Sequence, residues 1–323
     1  MYSFQQIQEL VDQQFNSLDF VKEPTGLYDP IEYALSSKGK RIRPTLLLMA
    51  SNLYMQNLDN ALNPAVAIEV FHNFTLIHDD IMDKADKRRN KPTVHKKWNP
   101  NTAILSGDAM MIKAYQFMHK YQGVNASLVY RLFDQTALEV CEGQQYDMEF
   151  EEMKQVGEDQ YLKMIELKTA VLLACSLKMG ALIGNAPENE AEALYNFGKY
   201  LGLAFQLQDD YLDAFGDSEV FGKKIGGDIV ENKKTFLLIQ ALRKADKSQK
   251  EKLNYLLEKE TDEVRKIKGV IEIYNELKIP QVTEDLIREY YDKALKAFNS
   301  LNKTENEKKN LRHVAGKLMD RIH

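Results

Sequence analysis

The placement of proline constrains this chain more than any other feature. Prolines stand at positions 24, 30, 44, 64, 92, 100, 187 and 280, so residues 101–186 and 188–279 contain none. A proline inside a helix removes a hydrogen bond and clashes with the preceding turn, at a cost of about 3 kcal/mol. Two long stretches free of it leave room for uninterrupted helices. The apolar residues there recur at helical spacing: Leu194, Phe197, Tyr200, Leu201, Ala204, Phe205 and Leu207 follow steps of three and four. Gly198 and Gly202 lie one turn apart in that pattern and would let another helix approach closely. No run of alternating strands joined by Asn-Gly or Asp-Gly turns interrupts it. The pattern predicts an all-α fold, with helices over 3–20, 28–38, 42–55, 60–86, 101–120, 124–150, 158–185, 188–216, 234–245, 248–258, 262–277 and 284–302, and a last one near 305–321. No low-complexity linker divides the chain. A single domain over 1–323 is expected, with a motif-bearing core at about 28–245 and more polar, peripheral helices at about 246–323.

Composition excludes several classes of function. Of 323 residues, 44% are hydrophobic and 28% charged, which suits a soluble globular protein rather than a disordered or fibrous one. The net charge of −5 makes general nucleic-acid binding a poor fit. Two cysteines, Cys141 and Cys175, are too few for a disulfide framework and fit a reducing compartment; both are expected to pack in helices. The first residues lack a basic segment followed by an apolar run, so no signal peptide is visible. The most apolar window, Thr169 to Gly184, is short and carries Lys178, which predicts a buried helix rather than a membrane span. A cytoplasmic protein without a transmembrane segment is expected.

One short pattern recurs. Asp79-Asp80-Ile81-Met82-Asp83 and Asp209-Asp210-Tyr211-Leu212-Asp213 both read DDxxD, both in strongly helical sequence. Residues four apart share a helix face, so Asp79 and Asp83 project together, with His72 two turns earlier on nearly the same face. Gln206, Asp209 and Asp213 are related in the same way. Two such helices facing each other would line a cavity with carboxylates. Unpaired buried carboxylates are costly, and hard divalent cations would offset that cost. Oxygen-only donors favour Mg²⁺, which binds through one or two carboxylates plus substrate phosphates. An acidic, solvated helix face is the plainer alternative, but Phe74, Leu76, Ile77, Phe205, Leu207 and Tyr211 flank the motifs with apolar side chains.

Basic residues accompany the acidic motifs. Gly39-Lys40-Arg41-Ile42-Arg43-Pro44 packs three cations before a proline, Arg88-Arg89 follows the first motif, and Lys223-Lys224 and Lys233-Lys234 follow the second. Arginine suits bidentate phosphate contact and lysine acts as a point charge. Metal ligands and cations around one cleft describe a site for diphosphate groups.

Over about residues 38–236 the chain resembles the trans-type polyprenyl diphosphate synthases. The resemblance rests on Gly39 to Pro44, His72 to Asp83, Arg88-Arg89, Ser106-Gly107-Asp108, Lys168-Thr169, Phe205 to Asp213, and Gly222 to Asp228 leading to Lys233. It implies an all-α isoprenoid-synthase-type bundle around a central cavity, a homodimer, and head-to-tail elongation. In that reaction an allylic diphosphate ionises, the carbocation alkylates the double bond of isopentenyl diphosphate, and a proton is lost. The resemblance further implies that Asp79, Asp83 and Asp209 ligate Mg²⁺, about three ions per active site, with Asp80, Asp210 and Asp213 in the same motifs. Arg88, Lys168, Lys223 and Lys233 would hold the allylic diphosphate, and Thr169 and Gln206 would line the cation site. Lys40, Arg43, His72 and Arg89 would hold isopentenyl diphosphate. Lys224 is an alternative to Lys223. Asn90 stands where a glycine often follows the arginine pair, which is expected to alter a turn.

Product length is a ruler question. Phe74 precedes Asp79 by five residues, about 7.5 Å along a helix at 1.5 Å per residue. An aromatic there, beside the small Thr75, resembles a short-chain enzyme, so the expected product is C20 geranylgeranyl diphosphate, with C15 farnesyl diphosphate next. Met110, Met111 and Met118 are expected in the core. Three alternatives remain at this point: a non-catalytic binding subunit of a heteromeric synthase, a helical HD-type phosphohydrolase using His78-Asp79, and a class I terpene cyclase.

Overall fold

A computed structural model describes residues 1–37, 39–216 and 225–319. The chain forms two compact units. The first comprises Met1–Gln135, Cys175–Leu194 and Asn302–Leu311; the second comprises Thr136–Ala174, Tyr195–Leu301 and the segment from Arg312.

The first unit begins with α1 (Phe4–Asn16), α2 (Thr25–Leu35), α3 (Ile42–Asn52) and α4 (Asp59–Met82). Prolines sit where their missing N–H is least needed: Pro44 lies in the first turn of α3 and Pro100 opens α6 (Pro100–Met118). Pro30 and Pro64 fall one turn further inside α2 and α4. Helix α3 is buried along its whole length from Pro44 to Asn52, because it lies under α1 and α4. Helices α4 and α6 pack along much of their lengths. Phe71 is the hub of an aromatic cluster, with its ring centroid 5.4 Å from Phe74 and 5.5 Å from Phe133. Met110 and Met118 are buried as expected, whereas Met111 is only half-buried.

Between α4 and α6 the chain makes a hairpin that the periodicity does not predict, β1 (Lys87–Arg88) and β2 (Lys91–Pro92), followed by a single helical turn, α5 (Val94–Lys97). The two loop residues, Arg89 and Asn90, have φ of 51° and 62°. A two-residue loop of the type I′ form needs left-handed backbone at both positions, and asparagine tolerates it where most residues do not. The loop reads Arg-Asn rather than Asn-Gly, so its sequence signal is weak.

The second unit is built from the C-terminal part of α7 (Ala126–Glu152), α8 (Glu158–Ile165), the start of α9 (Val171–Ile183) and most of α10 (Glu188–Phe215). It continues with α11 (Gly227–Val230), α12 (Phe236–Lys244), α13 (Lys247–Glu258), α14 (Glu263–Glu276), α15 (Ile279–Asn299) and the end of α16 (Glu305–Met319). One core cluster joins Tyr161, Leu203, Leu207, Phe236 and Ile287; another joins Leu237, Leu253, Val270 and Ile273.

The stretch expected as one helix over 158–185 is interrupted by a π-helical turn, Glu166–Ala170. Two glycines explain how closely it is packed. A Cβ on Gly202 would lie 2.6 Å from Ala170 Cα, and one on Gly143 would run into the backbone of Leu167 and Lys168. Helix α10 therefore approaches the π turn closely at Gly202. Cys175 is buried in α9, but Cys141 is exposed on α7, contrary to the expectation that both pack inside. No helix among the described residues is long and apolar enough to cross a membrane.

Candidate active site

The C-terminal end of α4 carries the first acidic motif. Asp80 is buried, Asp79 half-buried, and Asp83, which caps the helix, is exposed. Arg88, presented by β1, donates from Nε to Asp80 Oδ1 at 2.7 Å and from Nη2 to Asp79 Oδ2 at 3.2 Å. Burial pushes the Asp80 carboxyl up, and the Arg88 charge and hydrogen bond oppose that. The hairpin thus places Arg88 on two motif carboxylates, close enough to act on whatever anion joins them.

A second cluster in the same unit gathers three of the four residues expected to hold isopentenyl diphosphate. Arg43 Nη1 lies 3.0 Å from His72 Nε2. Burial, reinforced by the charges of Arg43, Arg89 and Arg88, holds the His72 imidazole well below its usual range. A neutral ring accepts from the guanidinium at Nε2, so its proton sits on Nδ1. Arg89 donates to the Ser37 carbonyl at 3.0 Å, and its guanidinium lies where a Cβ on Gly39 would be. Lys40 is exposed beside this cluster in sequence. Arg41 is engaged elsewhere. At φ 43° it opens α3, and its guanidinium pairs with Asp12 at 2.8 Å and covers the Phe15 ring.

Glu69 was not foreseen. It is 4% exposed, accepts from Asn73, and feels the charges of Arg43 and Arg89; burial nevertheless raises its pKa. Its position three residues before His72 on α4 was the available signal.

Phe74 is buried, with its ring 4.8 Å from that of His78, and Thr75 is half-buried, donating to the His72 carbonyl at 2.8 Å. His78 fills the space left by Gly107 and sits 3.2 Å from the Ile104 carbonyl. It is absorbed in α4–α6 packing, which leaves little for an HD-type metal site.

The second acidic motif lies on α10 in the other unit. A cavity of about 190 Å³ is lined there by Lys168, Thr169, Gln206, Asp209, Asp210, Asp228 and Lys233, with Tyr161, Met164 and Phe150 at its apolar wall. The π turn delivers Lys168 and Thr169 side by side. Lys168 Nζ pairs with Asp147 Oδ2 at 2.6 Å. Thr169 Oγ1 donates to Gln206 Oε1 at 3.0 Å, Gln206 Nε2 donates to Asp210 Oδ1 at 2.9 Å, and the Tyr161 hydroxyl donates to Asp210 Oδ2 at 2.5 Å. Asp213 Oδ2 accepts from the Asp228 amide at 3.0 Å, and Lys233 Nζ lies 3.9 Å from Asp228 Oδ1. Lys223 and Lys224 lie outside the described residues. Asp147 and Tyr161 escaped the sequence reading because their partners are distant in sequence.

Electrostatics show what this group of acids needs. Burial and the neighbouring carboxylates push Asp210 up to about 7 and Asp228 up to about 8. Asp209, Asp210, Asp213 and Asp228 repel one another, and the donors are all oxygens, a set that suits a hard divalent cation. Among the described residues no three His, Cys, Asp or Glu side chains form a ready-made metal cage.

Known proteins of this form bear out the resemblance. The sequence profile of the family "Polyprenyl synthetase" matches residues 24–274. A geranylgeranyl diphosphate synthase of Methanosarcina mazei is 44% identical over 239 residues, 73% of this chain and 74% of that one. A geranylgeranyl diphosphate synthase of Saccharolobus solfataricus is 36% identical over 298 residues, 90% of each chain. A crystal structure of a geranylgeranyl pyrophosphate synthase superposes with a TM-score of 0.93 at 44% identity, covering 99% of both chains. An all-α chain with both aspartate motifs, so closely matched along its length, belongs to the polyprenyl synthetase family of prenyltransferases.

Proposed function

We propose that this chain condenses isopentenyl diphosphate head-to-tail with allylic diphosphates and stops mainly at C20, geranylgeranyl diphosphate. The observation that carries this reading is the convergence of Lys168, Thr169, Gln206 and Asp209 on one partly apolar cavity. It holds a cation for phosphate, oxygens for a carbocation, and a carboxylate for a metal ion. The names of the matched relatives support the C20 limit, and Phe74 supplies the physical stop.

The difficult event is cleavage of the allylic C–O bond. Diphosphate departs with the electron pair and leaves a carbocation. Lys168 and Lys233 carry positive charge for the departing group. Asp79, Asp83 and Asp209, backed by Asp80 and Asp213, would hold Mg²⁺. When bound, Mg²⁺ supplies Lewis-acid stabilisation to the diphosphate oxygens. The Thr169 hydroxyl oxygen and the Gln206 carbonyl oxygen face the cation with lone pairs. Arg43, His72, Arg89 and Lys40 would hold isopentenyl diphosphate; His72 takes part as a neutral acceptor that fixes the Arg43 guanidinium. The alkene of isopentenyl diphosphate forms the new C–C bond, and the adjacent proton passes to the departed diphosphate. Met164 and Phe150 keep water from the cation.

A homodimer and a cytoplasmic location complete the proposal. Leu105 and Ile112 lie two turns apart on α6, 60% and 56% exposed, an apolar stripe suited to a second copy. The free thiols fit a reducing compartment.

The test is product analysis. Purified chain, Mg²⁺, isopentenyl diphosphate and C5, C10 or C15 primers should give mainly C20 alcohol after dephosphorylation. Mainly C15 would move the stop higher. No elongation by metal-replete enzyme with any primer would overturn the synthase reading in favour of a binding subunit.

A further inference from the structure

Tyr161 is a large, fully buried side chain, 1% exposed, and its hydroxyl has no part in the chemistry described above. Its ring is fixed by the second-unit core, with Phe236 at 6.4 Å between centroids. Its hydroxyl reaches the end of a polar chain that runs to the cavity, from Tyr161 to Asp210, Gln206 and Thr169.

The direction of that chain matters. A primary amide can present either its oxygen or its NH₂ group to a neighbour. Asp210 accepts a hydrogen bond on each oxygen, from the Tyr161 hydroxyl at Oδ2 and from the Gln206 amide at Oδ1. The acceptor at Oδ1 holds the Gln206 NH₂ turned that way. The Gln206 carbonyl then points to Thr169, and the Thr169 proton is used on it. What remains toward the cavity is oxygen lone pairs. If Asp210 were free to rotate, the amide could reverse and present N–H to a developing cation.

We propose that Tyr161 is a positioning residue for allylic ionisation, its phenol fixing Asp210 so that the Gln206 carbonyl and the Thr169 hydroxyl turn their oxygens toward the carbocation. The role rests on the synthase reading given above. It concerns only the charge developing at carbon, so it acts on turnover and leaves the diphosphate contacts unchanged.

The experiment compares wild-type and Tyr161→Phe holoenzyme with Mg²⁺, isopentenyl diphosphate and a C15 primer, each alone and in a Gln206→Ala background. Misplaced groups near the reacting atoms cost up to about 100-fold in rate, and a loss of about 10- to 100-fold in kcat is expected for Tyr161→Phe. Both KM values should stay within about twofold, and the loss should vanish once Gln206 is alanine, since coupled residues are not additive. Unchanged kcat, or the same loss in both backgrounds, would overturn the inference. If Tyr161→Phe does not fold, Tyr161→Met, which also removes the hydroxyl at similar volume, asks the same question in the same two backgrounds. A loss confined to kcat supports the chain of contacts, and full turnover refutes it. Failure of wild type to elongate would instead bring down the synthase reading itself.

Discussion

Replacing Phe74 with alanine turns the ruler into a measurement. Phe74 is 7% exposed, and Phe71 stands behind it at 5.4 Å between ring centroids. On α4, Phe71 is three residues further from Asp79 than Phe74, about 4.5 Å at ~1.5 Å per residue. One isoprene unit adds four chain carbons, about 5 Å when extended with bonds near 1.5 Å. Removing the Phe74 ring therefore admits about one more unit before Phe71 stops the tail. The main product should move from C20 to C25, and Phe71→Ala/Phe74→Ala should pass C25. Such a truncation costs about 3–5 kcal/mol of stability, so the assay is run well below the melting temperature and the alcohols are sized after dephosphorylation. A folded Phe74→Ala enzyme that still stops at C20 would refute the reasoning. A single variant that runs far past C25 would refute it equally, because Phe71 would then not be the next barrier.

Other outcomes follow from the same contacts. The folded His72 pKa lies below its ordinary value of 6.5, so the unfolded chain binds a proton that the folded chain refuses as pH falls below about 6.5. Stability present above that pH is lost below it, by up to about 1.4 kcal/mol per unit; melting curves from pH 7.5 to 5.5 should show a smaller fall for His72→Gln. Arg88→Met removes two charge-assisted bonds to Asp79 and Asp80, and kcat/KM for the allylic primer should drop about 10- to 100-fold, the equivalent of about 1.5–3 kcal/mol. Gly202→Val forces a side chain onto Ala170 and should lower stability by about 1–3 kcal/mol in denaturant unfolding. Leu105→Asp should shift the sedimentation of the purified protein toward monomer; an unchanged dimer would remove α6 from the interface.

Much of the fold was legible because helices announce themselves locally. The proline-free stretches and the steps of three and four marked α10 almost to its ends, and the i, i+4 spacing of Asp79 and Asp83 followed from the same geometry. What could not be read was long-range or rule-breaking. The π turn leaves apolar periodicity nearly intact, so residues 158–185 look like one helix. The Arg89-Asn90 loop lacks glycine, so its hairpin goes unnoticed. Asp147, Glu69 and Tyr161 are ordinary residues in sequence, and only packing supplies Lys168, the arginine cluster and Asp210 as their neighbours. Arg41 shows the reverse limit: composition groups it with Lys40 and Arg43, while its left-handed backbone commits it to Asp12.

The π turn at Glu166–Ala170 holds one residue more than an α-helical turn would at the same length. Deleting a single residue there would let α8 and α9 merge into one regular helix, with better hydrogen-bond geometry than before. The extra residue is absorbed within the turn, so the helices on either side would keep their faces, but the turn would present one side chain fewer and could no longer set both Lys168 and Thr169 at the cavity. The smoother helix would be the inert one. Activity at this spot depends on an irregularity that a designer optimising helices would erase, and a deletion scan through 166–170 is where a more stable, inactive variant of this protein should be found.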